Sequence, residues 1–130
     1  MPWRDDETYK ELEQLILKAA VRIKYEQVPG DSIDGAIWAR SDSCTRTIMM
    51  PAEDDAFPDA ETACLILGHE MGHILTGLDS PDYPADRRRN EAVCDLVGCA
   101  LHKLAQMIVD GKEEQAAYTL FDQAAKEESK

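Results

Sequence analysis

The sequence predicts a mainly helical α+β domain with a small antiparallel β-hairpin beside one buried helix. Three observations predict it. Apolar residues recur at helical spacing through 5–27, 59–77, 85–110 and 112–127. Residues 35–50 instead carry β-branched and aromatic residues around a short polar turn. The chain has 130 residues and 44% hydrophobic residues, which makes residues 1–130 one domain with a modest core.

The elements follow in order. In 5–27, Leu12, Leu15, Ile16, Ala19, Ala20 and Ile23 repeat at three and four, and Pro29-Gly30-Asp31 breaks the helix. Ala36–Arg40 and Thr45–Met50 read as strands flanking a turn at Ser41-Asp42-Ser43-Cys44. An edge strand can pair with an extended peptide, and 45–50 is the nearest candidate; a purely structural hairpin fits equally. Trp38 reads as core or as a pocket wall. An acidic loop from Pro51 to Pro58 leads into a helix over 59–77. Asp59 can cap its start, with Glu61 in the first turn, and Gly77 can end it. Leu67, Met71, Ile74 and Leu78 form its core-facing stripe. The loop Asp79–Pro84, with two prolines, suits a turn into the next helix. That helix, 85–110, offers Val93, Val97, Ala100, Leu101, Leu104 and Ile108 as core and Asp110-Gly111 as a stop. A last helix over 112–127 buries Ala117, Leu120, Phe121 and Ala124.

The 59–77 helix carries His69-Glu70-Met71-Gly72-His73, an H-E-x-x-H sequence. Histidines four apart share nearly one side of a helix, about 6 Å apart along it, so both imidazoles can reach one zinc ion. The intervening glutamate can stand over the open metal position as general base. Glu70 is the only charge between Cys64 and Gly77, and a buried charge is costly unless it is paired or metal-bound. The plainer reading is a core helix whose two histidines are satisfied by hydrogen bonds.

A catalytic zinc keeps three protein ligands and one open position. Glu91, in Asn90-Glu91-Ala92-Val93-Cys94-Asp95, lies 18 residues after His73 and is the best third ligand. The gap fits a helix end, a turn and the start of a second packed helix. Asp95, one turn on, can accept a hydrogen bond from the far nitrogen of a zinc-bound histidine. Glu91 could also be an ordinary solvated acid balanced by Arg87 to Arg89. His102 is the rival ligand, but it stands about 16 Å further along the same helix, so both cannot bind one metal. It reads as a surface or partly packed histidine. The expected site is therefore one Zn2+ per chain on His69, His73 and Glu91, with Glu70 catalytic. Tyr83 is a candidate oxyanion donor, with His102 and Arg88 behind it.

His69-Glu70-Met71-Gly72-His73-Ile74-Leu75 followed by Asn90-Glu91-Ala92 resembles the ImmA/IrrE family of small zinc metallopeptidases. The resemblance spans roughly residues 60–102. It implies a minimal zincin-like fold, zinc on His69, His73 and Glu91, Glu70 as base, and cleavage of a specific intracellular protein, often a DNA-binding repressor. Some members of the family act without demonstrable proteolysis, so a non-proteolytic binding or regulatory module is the alternative it implies. The N-E-x-x-x-D spacing is also similar to that of thermolysin-type peptidases. Asp95 departs from the family pattern, which often has an aromatic residue there.

Composition narrows the partners. With 26 acidic and 14 basic residues the net charge is −12, which speaks against direct nucleic-acid binding and against anionic membrane surfaces. It suits a basic protein partner, and it equally serves solubility. No run approaches the roughly 20 apolar residues of a membrane span, and the acidic start is unlike a signal peptide. Cys44, Cys64, Cys94 and Cys99 form no C-x-x-C pair, so reduced thiols in a cytoplasm are expected. The sequence does not predict the oligomeric state.

Overall fold

A computed structural model describes residues 2–26, 39–78 and 84–128. The Pro29-Gly30-Asp31 break, Trp38, most of the expected 36–40 strand and Tyr83 lie outside the described residues. The fold is α+β. A short 3-10 turn (Trp3–Asp5) precedes α1 (Glu7–Lys18), β1 (Arg22–Tyr25), β2 (Arg40–Asp42), β3 (Thr47–Met50), α2 (Ala60–Thr76) and α3 (Pro84–Glu128).

α1 starts where Asp6 accepts the Tyr9 amide at 3.1 Å and buries Tyr9, Leu12 and Ile16 on one side. It ends nine residues short of the expected 27. Ala20 turns the chain with a φ of 62°, and Val21, Ile23 and Tyr25 then alternate inward from exposed Arg22 and Lys24. The helical reading of Ile23 arose because an alternating strand followed an amphipathic helix without a proline or glycine between them. Arg46 holds this corner, donating from Nη2 to the Ala19 carbonyl at 2.8 Å and from Nε to the Ala20 carbonyl at 3.4 Å.

The sheet is mixed rather than a simple antiparallel hairpin, in the order β1-β3-β2. β1 runs parallel to β3, with Ile23 beside Ile48. β2 runs antiparallel to β3, with Ser41 beside Ile48. The turn lies two residues later than expected, at 43–46, because Asp42 Oδ1 accepts the amides of Cys44 (2.9 Å) and Thr45 (3.3 Å). Thr47–Met50 is thus the central strand, paired on both sides, and has no free edge for substrate. Among the described residues β1 and β2 are the edge strands, and β2 is the one with more contact to α2.

Ile48 and Met50 point from β3 into a core shared with α1, α2 and the chain start. Trp3 anchors that start, edge-on to Tyr9 (ring centroids 5.1 Å apart) and Phe57 (4.8 Å), with its indole N–H donating to the Glu53 carbonyl at 3.2 Å. Tyr9 and Tyr25 share a 2.9 Å hydroxyl contact, and Tyr25 donates on to Glu13. Burial raises both phenols well above the ordinary tyrosine value.

α2 matches its expected bounds. Asp59 accepts the Thr62 amide at 2.7 Å, Gly77 closes the helix at φ 68°, and Leu67, Met71 and Ile74 are buried. Leu78 is half-buried beyond the helix end.

α3 departs from expectation in three ways. It is one helix through Glu128, so Asp110-Gly111 is no stop and 112–127 is no separate element. Gly111 keeps an ordinary helical backbone, and a glycine ends a helix only where the chain takes the left-handed turn. Second, the buried face of α3 is Asn90, Cys94, Gly98, His102 and Ala105, with Cys94 and Gly98 against Gly72 and Gly68 of α2, while Ala100 and Leu104 are exposed and Val93, Val97, Leu101 and Ile108 half-buried. His102, read as a surface or partly packed histidine, is buried. The reason is close packing of small residues: a Cβ on Gly68 would lie 2.7 Å from Gly98 Cα, and one on Gly72 2.9 Å from Cys94 Cα. Helices that approach so closely select glycine, not the largest side chains, at the crossing. Third, the Ala85–Lys112 stretch is long and apolar enough to cross a membrane by length and composition, and only 17% of its most apolar 18-residue window is buried.

Candidate metal centre

The centre is built where α2 and α3 cross. Gly68, Gly72 and Gly98 let the two backbones touch. Glu91 and Asp95, one turn apart on α3, are thereby carried against His69 and His73, one turn apart on α2. His69 Nε2 lies 2.7 Å from Glu91 Oε2, and His73 Nε2 lies 3.3 Å from Glu91 Oε1. The two Nε2 atoms are 3.2 Å apart. The three ligand atoms all fall within 4.8 Å of one another and form a group that could hold a metal ion.

Each imidazole is oriented from behind. His73 Nδ1 donates to the Leu78 carbonyl at 2.5 Å. A carbonyl can only accept, so the proton sits on Nδ1 and the Nε2 lone pair faces the cluster. The Leu78 carbonyl reaches back because Gly77 turns left-handed, with its amide on the His73 carbonyl at 2.9 Å. Thr76 ties the same turn, donating to the Gly72 carbonyl and accepting the Leu78 amide at 3.2 Å. His69 Nδ1 lies 2.6 Å from Asp95 Oδ1, and the carboxylate fixes the matching tautomer there. Two Nε2 atoms and a carboxylate held within 3.3 Å repel one another unless a proton or a metal ion lies between them.

Two imidazoles and a carboxylate are an open zinc set. Bonds of about 2.0–2.1 Å at tetrahedral angles put ligand atoms about 3.3 Å apart; the His69–His73 and His73–Glu91 separations of 3.2 and 3.3 Å are close to that, and the 2.7 Å between His69 and Glu91 is shorter. The set fits zinc, and manganese or iron would accept the same ligands. Solvent reaches it, since the side chains of His69 and Glu91 are 17% and 36% exposed.

Glu70 is half-buried beside His69. Cys94, packed against Gly72, lies within reach of the site's charges. Burial pushes its thiol up; the carboxylates of Glu91, Glu70 and Asp95 add to that, and a hydrogen bond with Thr76 opposes it. Cys94 thus stays a neutral thiol at the back of the centre. Among the candidate oxyanion donors, His102 is buried, and Arg88 is exposed three residues before Glu91.

Of the four site residues read from the sequence, His69, His73 and Glu91 come together at this crossing, with Asp95 behind His69, and Glu70 is the half-buried chain neighbour of His69. Two parts of the site were missed. The Leu78 carbonyl is backbone and carries no side-chain signal. The glycine contact did leave a signal, in the Gly68-x-x-x-Gly72 spacing that brackets the motif. The chain matches no protein-family model, no curated protein and no solved structure.

Proposed function

We propose that the chain is a zinc-dependent metallopeptidase with a zincin-like fold, cleaving a specific intracellular protein, as the resemblance to the ImmA/IrrE family implies. The observation that carries this reading is the convergence of His69 Nε2, His73 Nε2 and the Glu91 carboxylate, with both imidazoles held from behind in the ligating tautomer.

A bound zinc would supply a Lewis acid that activates water and polarises the scissile carbonyl. His69, His73 and Glu91 would hold it, and Asp95 and the Leu78 carbonyl keep the imidazoles aimed. Glu70 takes the proton of the attacking water on its carboxylate and passes it to the leaving amine. The β2 edge beside α2 offers main-chain groups to an extended substrate segment. Arg88, exposed three residues before Glu91, is a candidate to meet developing oxyanion charge. The net charge of −12 favours a basic substrate, such as a DNA-binding repressor, over direct contact with nucleic acid or an anionic membrane. The exposed thiols of Cys44 and Cys99 fit a reducing, cytoplasmic setting.

The test is Glu70→Gln, assayed on candidate basic regulators and on a peptide library. Zinc content and thermal unfolding stay at wild-type levels, and cleavage falls by at least about a hundredfold, the lower end of a lost general base. Equal cleavage by the variant would refute the assignment. A variant that keeps the regulator's full biological response without cleavage would establish the binding-module alternative instead.

A further inference from the structure

α3 carries two apolar faces, and the described residues cover only one. The face opposite its packing against α2 exposes Leu96 (71%), Leu104 (43%) and Met107 (60%), around exposed Ala100. Only 17% of the helix's most apolar 18-residue window is buried. An uncovered stripe of this length on a charged protein marks an interaction surface.

We propose that this face pairs with the same face of a second copy of the chain, antiparallel, with Ala100 of each copy at a two-fold axis. The stripe is self-complementary, which a two-fold interface requires. Leu96 and Leu104 stand four residues either side of Ala100, so each leucine of one copy lies at the level of the other leucine of the second. Val93 and Met107, seven residues either side, match in the same way. The small side chain at the centre lets the helices come close. The ends match in charge: Arg89, which lies 3.6 Å from Asp86 of its own helix, is 11 residues before Ala100 and comes within one residue of the level of the second copy's Asp110, 10 residues after it. Lys103 flanks the stripe and can lay its stem along it with the amine in water.

A bilayer is the other apolar occupant, and the same helix argues against it. Asp95 and Lys103 fall within the apolar stretch, Asp95 is tied to His69, and Arg87 to Arg89 lie at its start. Glu91 lies nine residues, about two and a half turns, from Ala100, so the metal centres face outward from the pair.

Sedimentation equilibrium of the full chain tests this, with circular dichroism as the control for folding. Wild type sediments at twice its 14.5 kDa chain mass. Leu104→Glu keeps the helical signal and sediments at the single-chain mass. Arg89→Asp weakens the pair at least tenfold, and adding Asp110→Arg restores it. A single-chain mass for wild type across the micromolar range would overturn the proposal. So would a folded Leu104→Glu that stays paired, a charge reversal that restores nothing, or wild type that co-sediments with phosphatidylcholine vesicles as single chains.

Discussion

Asp95 is the residue whose role most depends on its exact place. Its side chain is 71% exposed, yet one oxygen lies 2.6 Å from His69 Nδ1. Removing such an outer partner typically costs 10–100-fold in metal affinity. Asp95→Ala should therefore weaken zinc by about that factor in a chelator competition, while Asp110→Ala leaves it unchanged. Asp59 gives a second test, in pH. Accepting the Thr62 hydrogen bonds holds its carboxyl below the ordinary 3.8. The folded value lies below the unfolded one, so its stabilisation is complete above the ordinary value and fades as pH falls through it. Asp59→Asn keeps a capping oxygen but cannot titrate, so the stability gap between it and wild type should narrow from pH 7 into acid. A gap that stays constant would contradict the cap assignment. At this scale the sequence was highly legible. Histidine, glutamate and capping aspartate carry their chemistry in their side chains, whereas the Leu78 carbonyl that orients His73 is the same group at every residue.

The crossing of α2 and α3 depends on glycine. A Cβ at Gly98 would lie 2.8 Å from the His69 amide nitrogen, a backbone atom that cannot give way locally. Gly98→Ala should force the helices apart, costing about 1–3 kcal/mol as overpacking and drawing Glu91 away from the histidines. Denaturant unfolding and zinc content should fall together. A stable variant with full zinc would show that the close approach does not set the site. Element boundaries were legible where a cap announced them, as at Asp59 and Gly77 of α2. They were lost where one periodicity ran into another, as at Ala19 to Tyr25, and where a glycine stayed helical, as at Gly111. The apolar pattern of α3 located a real stripe, but burial follows distance between backbones, and the small residues at 94 and 98 came closer.

For the whole molecule, the α+β class was legible because helical periodicity dominates the composition. The sheet order was not, because pairing β1 parallel to β3 is a long-range choice that no local pattern encodes. A centre that draws two helices together should also stabilise the domain, since a ligand bound only to the folded state adds to its stability. Chelation should thus lower the unfolding temperature of wild type and leave Glu91→Ala unmoved. The most direct measurement is zinc per chain for wild type and Glu91→Ala, each purified without added metal and then offered zinc. One equivalent in wild type and far less in Glu91→Ala is the expected result. No tightly bound metal in folded wild type, even with zinc supplied, would contradict the account.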